Sequence, residues 1–430
     1  MIPALAFILS LVSPLVGYVG RGLVTAWIAF PIWLLISIFE RAHFWRDIHH
    51  EVLTRKFELA MIIAWALVVY LNAIWNRGYT GDIHSMNVTT LSMIVFLEIA
   101  VTVRRDGSRE AIMLLFVILL GIEVIRSLPT LLSTELIVRK SMYQGASSLT
   151  YRQASLDGVG EFGFYTGVAI AFPAIISFSF HQRGWLKGIL LVLCFFIAVD
   201  VLLSTLMGAV LLMVLGFLLL GMITIWSWKS KSHYVIPMAI ATTFGVLAWS
   251  SFFAESQQGE FFVDKLSRQS TSVTNYGILG GDLTKRTALW QQSYETFIEN
   301  PLVGIGATTG RDNPSLPQLV GGHSAWLDML AEYGIIGFGT YLCFVLAATR
   351  RAIRSIAFEH RNLFAYARIV SMVLYFVAGS YNPVAMGTHT NFYIFFFVLG
   401  GTVYMPGIAH QQVRVSNRFV SPVLFQTKRS

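Results

Sequence analysis

Twelve apolar runs, most long enough to cross a bilayer, divide this chain from end to end, and they leave it few folds to choose from. They fall at approximately 2–19, 23–39, 59–75, 87–103, 111–123, 162–180, 189–204, 208–226, 234–254, 324–348, 369–385 and 391–404. A helix needs roughly 20 predominantly apolar residues to cross about 30 Å of hydrocarbon. The fifth run is short as bounded and is expected to continue toward Leu131. Hydrophobic residues make up 55% of the chain and charged residues 13%. A soluble chain of this size could not hide that much apolar surface from water. The expected fold is therefore all-α and polytopic, a single integral membrane domain over 1–430 with about 12 transmembrane helices. Met1 opens directly into an apolar run with no basic leader, so the first span is expected to be retained. Cys194 and Cys343 both lie inside apolar runs, which argues against a disulfide framework or a thiolate metal site.

Charge orients the spans. With a cytoplasmic N-terminus, 20 of the 31 Lys and Arg residues fall in cytoplasmic segments, densely in short connections such as Arg104-Arg105 and Arg350-Arg351. Both termini are then cytoplasmic. Two outward loops are long, 126–161 and 255–323, and long loops in compact proteins usually carry function. They hold nine of the eleven remaining basic residues: Arg126, Arg139, Lys140, Arg152, Lys265, Arg268, Lys285, Arg286 and Arg311. Outward basic residues run against the topological bias. Each alone reads as a solvated or head-group-bound charge; as a set they point to an anionic ligand rather than to nucleic acid.

Within the second loop, Leu283 to Asn300 reads as a helix lying along the membrane. Asp282 or Thr284 can cap it, Trp290, Tyr294, Phe297 and Ile298 recur at helical spacing, and Asn300-Pro301 ends it. Lys285 and Arg286 fall in its first turn, where free backbone N–H groups already attract anions. Beyond it, His323 sits at the mouth of the tenth run. Read alone, it is an interfacial histidine that caps or hydrogen-bonds locally. Asp200 and Glu98 are carboxylates inside spans, open either to function or to pairing with arginines.

Arg286 with Trp290, then NPLVGIG at 300–306, then HSAWLDMLAEYGIIG at 323–337, resemble the O-antigen polymerase and O-antigen ligase superfamily. The ligase pattern of His, a small polar residue, nine residues, Gly, two residues and Gly is met by His323, Ser324, Gly334 and Gly337. The segment from Arg152 to Pro173 resembles the superfamily's preceding outer loop, and Arg152 and Gly163 have the Arg-x10-Gly spacing of some polymerases. Arg268, followed by Gly277 and Gly280, misses that spacing.

The resemblance implies inverting, metal-independent glycosyl transfer at the periplasmic face of a bacterial inner membrane, with no cofactor. The donor is an undecaprenyl-diphosphate-linked oligosaccharide and the acceptor a glycan hydroxyl. Membrane lipids are expected partners and a chain-length regulator is a candidate one. The residue chemistry fits independently: guanidinium groups stabilise a departing diphosphate, and imidazole is a base of near-neutral pKa. Arg152 and Arg286 are the expected diphosphate ligands and His323 the expected general base. Arg268, Arg311, Glu332 and His389 are reserve substrate-binding residues. Three functions are in play. A polymerase would join lipid-linked repeat units, and a ligase would move the glycan onto lipid A-core or protein. A transporter is disfavoured because no internal repeat is seen.

Overall fold

A computed structural model describes residues 49, 53–75, 108–132, 157, 159–160, 162–226, 259–261, 263–264, 267–268, 282–306, 324–358 and 363–381. Among them the chain is helical, without strands. Eight long helices are formed: α1 Lys56–Trp75, α2 Ser108–Leu131, α3 Phe162–His181, α4 Gly184–Leu203, α5 Met207–Trp226, α6 Asp282–Glu299, α7 Ala325–Phe358 and α8 Leu363–Tyr381. Seven coincide with apolar runs in the sequence, and α6 with the expected surface helix. The runs at 2–19, 23–39, 87–103, 234–254 and 391–404 lie outside the described residues. Among the described residues four helices are long and apolar enough to cross a membrane: α3, α4, α7 and α8.

Helix α3 is the centre of the bundle. In its apolar window 94% of residues are buried inside the protein, against 33% for α4, whose outer face is left for lipid. Side chains that carry no charge let it be surrounded by α4, α5 and α8. Gly216 of α5 brings two of these neighbours close, since a Cβ there would come within 2.9 Å of Leu374 and 3.0 Å of Pro173.

Polar contacts fix which helix ends lie together. Arg351 near the end of α7 donates from Nε to Glu58 Oε1 at 2.7 Å and from Nη2 to the Thr54 carbonyl at 3.0 Å, at the start of α1. At the other end of α1, Asn72 reaches Val303 in the loop after α6, which packs on residues 331–336 in the middle of α7. With Trp65 against Tyr341 between these contacts, α1 runs antiparallel to the second half of α7. Phe178 meets Phe364, and Trp326 meets Phe376, so α8 runs antiparallel to α3 and to the first half of α7. One end of the bundle thus gathers residues 53–58, 181–184, 351 and 363; the opposite end gathers 72, 204–208, 286–306, 324 and 381.

Helix α2 continues to Leu131, as expected for the fifth run, so Arg126, read as the start of the first outer loop, is helical and pairs at 3.4 Å with Glu123 one turn before it. The tenth run is not one straight helix. Gly334, at φ 63° and ψ −172°, breaks α7 into two segments.

Candidate functional site

Helix α6 presents a polar stripe to the bundle. Arg286 is half-buried, and its Nη1 donates to the backbone carbonyl of Tyr381 at 2.9 Å, at the last residue of α8. Two turns along, buried Ser293 donates to Asp328 Oδ1 of α7 at 2.9 Å. Tyr294 and Ile298 point away from the bundle and are exposed, the disposition an interfacial helix requires. The apolar face identified in the sequence is thus split, with Trp290 and Phe297 half-buried at its edge.

The start of α7 is built by the residue after His323. The Ser324 hydroxyl accepts from the Leu327 N–H at 3.4 Å, a side-chain cap on the first turn, and donates to the Gly379 carbonyl at 3.5 Å. Trp326 reinforces the same junction: its indole N–H donates to the Phe376 carbonyl at 3.1 Å. A Cβ at Gly379 would fall 2.5 Å from the Trp326 ring, so only glycine admits the indole there. Arg286 and Ser324 therefore grip carbonyls two residues apart at the end of α8. Terminal helix carbonyls lack intrahelical partners and carry partial negative charge, which suits both donors.

A second construction lies behind the first. In an unbroken helix the Ile335 N–H would bond the Ala331 carbonyl and the Ile336 N–H the Glu332 carbonyl. The break at Gly334 separates those groups, and the 300–306 loop takes their place. Ile335 N–H donates to Pro301 O at 2.9 Å and Ile336 N–H to Leu302 O at 3.2 Å. Ile305 N–H donates to Ala331 O at 3.1 Å and Gly306 N–H to Glu332 O at 2.8 Å. Asn72 Nδ2 donates to Val303 O at 2.7 Å across the loop from α1. The two N–H groups and two carbonyls separated by the kink each have a new partner, as burial in or near hydrocarbon demands. Gly337 serves the same region, where a Cβ would sit 3.1 Å from Val68 of α1.

Of the residues expected to act, Arg286 is half-buried at the α8 end and Glu332 is buried in α7, its backbone carbonyl receiving Gly306. Arg268 is exposed and pairs with Asp264 one turn before it, Nε to Oδ1 at 3.1 Å, and that carboxylate raises its pKa. Arg152, Arg311, His323 and His389 lie outside the described residues. Asp200 is fully buried, and its bonded partner is the Ser127 hydroxyl at 2.6 Å rather than an arginine. Sequence reasoning missed Asn72, Ser293 and Asp328. The one available signal was a polar residue inside an apolar run at Asn72.

A helical bundle with several membrane-length helices, a broken helix at one end and an amphipathic helix beside it defines a membrane protein of the polytopic class. Residues 189–342 match the model of the O-antigen ligase family, which supports the O-antigen ligase and polymerase superfamily for this chain. The matched segment contains most of α4, then α5, α6, the 300–306 loop, His323 and α7 to just past its kink. No curated protein matches the chain.

Proposed function

We propose that the protein is a membrane glycosyltransferase that joins polyprenyl-diphosphate-linked oligosaccharide repeat units into O-antigen or exopolysaccharide chains at the periplasmic face. Ligase or polymerase activity in general is what the family match supports. The observation that carries the reading is the convergence at the end of α8, where Arg286 holds the Tyr381 carbonyl and Ser324, next to His323, reaches that of Gly379. Arg286 and Ser324, 38 residues apart in sequence, thereby meet at one bundle end.

The chemistry runs as follows. The acceptor hydroxyl attacks the anomeric carbon of the donor sugar, and the carbon–oxygen bond to the diphosphate breaks with inversion. His323 takes the hydroxyl proton, and Arg286 with Arg152 neutralises the charge that develops on the departing diphosphate. A guanidinium bonded through one nitrogen to a carbonyl keeps other N–H groups for phosphate oxygens. The periplasmic orientation is supported by the Lys/Arg bias and by the grouping of residues 53–58 and 351 at the bundle end opposite to Arg286.

The second reading, transfer of the finished glycan to lipid A-core, is favoured by one observation, the ligase description of the matching family. Incubating the purified protein with lipid-linked repeat units alone separates the two. Growth of longer lipid-linked chains without added core acceptor supports the polymerase. Turnover only when lipid A-core is added assigns the ligase.

A further inference from the structure

We propose that Asn72 and the 300–306 loop form a clasp that sets the direction of residues 325–333, making Asn72 a positioning residue for the glycosyl transfer. The inference rests on the functional reading above. Its physical basis is the broken ladder of α7. A helix interrupted at a glycine with positive φ has two rigid segments and a soft joint, whose angle is fixed only by what fills the gap. Here the filler is the loop, through four backbone hydrogen bonds that replace the two the helix lost.

The fit leaves no slack. A Cβ on Gly304 would lie 2.4 Å from the Glu332 carbonyl, and one on Gly334 would lie 2.3 Å from the Leu302 carbonyl. The two backbones are thus in direct contact, with no side chain between them. The loop is short and carries Leu302 and Val303 exposed, so no apolar side chain of its own holds it down at those positions. Asn72, buried on α1, supplies that hold from outside by bonding the Val303 carbonyl. Helix α1 is in turn locked to the far half of α7 by Arg351 and Glu58. One rigid helix therefore references both segments of α7 to each other.

What hangs on the near segment is the candidate site. Ser324 at its tip reaches Gly379, and Asp328 within it receives Ser293 of the helix that bears Arg286. Swinging the segment at Gly334 would move the base-bearing end and the arginine-bearing helix against the end of α8. A misplacement of about 1 Å far from the reacting atoms can cost on the order of 10²-fold in rate. Substrate binding through distributed contacts would suffer less.

Asn72→Ala, Asn72→Gln and Gly339→Ala test this in protein purified into lipid nanodiscs. Gly339 is the control because a Cβ there meets nothing within 4 Å. Two measurements are taken: amide hydrogen exchange in peptides covering 301–306 and 333–337, and the rate of transfer from lipid-linked repeats with and without core acceptor. Asn72→Ala is expected to speed exchange in both peptides and to lower kcat about 10- to 100-fold, with KM for the donor changed less than about threefold. Asn72→Gln, which keeps the amide donor, should recover part of both, and Gly339→Ala should match the parent. Unchanged exchange in Asn72→Ala removes the clasp. Faster exchange with unchanged kcat, or an effect confined to KM, removes the positioning role. Absence of any transfer by the parent protein would instead overturn the glycosyltransferase reading while the exchange result still decides the clasp.

Discussion

Gly304 and Gly334 are reciprocal: each has a positive φ, 70° and 63°, and each leaves the space into which the other's strand of backbone fits. One belongs to NPLVGIG and the other to the glycine motif after His323, so two motifs separated in sequence form one joint. Their spacing is explained by backbone geometry before any chemistry is invoked.

Replacing either by alanine should break the joint. Backbone at positive φ costs an L-residue about 1–3 kcal/mol, and the added Cβ would overlap backbone atoms that cannot rotate away. Gly304→Ala and Gly334→Ala are each expected to lower the unfolding temperature in detergent and to open 300–306 to proteolysis. Gly339→Ala should do neither. Equal protease resistance in all three variants would show that the loop does not depend on this contact.

How much of this was legible beforehand varies with the kind of signal. Helices α1, α3, α5 and α6 follow the sequence reading closely because apolar length, helical spacing and the Asn300-Pro301 stop act locally. The break in α7 was not legible: Gly334 sits in an apolar run, and glycine is common in membrane helices. Only the partner loop makes the break stable. Asn72 showed only as a polar residue inside an apolar run, and its partner, a carbonyl 231 residues away, could not be read from the sequence. Arg286 stood out in the sequence as a cation in the first turn of an outer-loop helix, whereas its grip on the end of α8 required the fold.

Asp200 offers a test of whether a carboxylate buried in a span is structural. Its one bonded partner among the described residues is Ser127. If the group acts through that bond, Asp200→Asn, which still accepts from the serine, should keep transfer activity within about threefold. Ser127→Ala should cost about 1–3 kcal/mol of stability by leaving a buried acceptor unsatisfied. Loss of turnover in a stably folded Asp200→Asn variant would assign the negative charge itself a role.

The orientation is testable by cysteine accessibility. Ser315 belongs to the loop expected outside and Ser416 to the tail expected inside. In intact cells Ser315→Cys should react with a membrane-impermeant maleimide and Ser416→Cys should not. Labelling of Ser416→Cys from the periplasm would reverse the topology and move Arg286 to the wrong side for a periplasmic reaction.

Arg286 should separate donor stabilisation from bundle integrity. Its Nη1 bond to Tyr381 is one hydrogen bond from a half-buried group, so its loss should cost folding only about 1 kcal/mol. Its loss from a diphosphate leaving group should cost far more in rate. Arg286→Ala is therefore expected to insert normally and to lower transfer by at least about 10²-fold. Arg286→Lys keeps the charge and one donor but loses the forked geometry, so it should recover little. The sharpest reading comes from pairing it with His323→Ala, which removes the proposed base and should cost on the order of 10²–10⁴ in rate. An unperturbed imidazole titrates at about 6.5, and the neutral form is the base, so activity of the parent should fall as pH drops through that range. Arg286→Ala should retain the same acid limb at its lower rate, because the guanidinium does not titrate there, whereas residual activity in His323→Ala should lose that limb. An acid limb that survives in His323→Ala would place the titrating base on another residue.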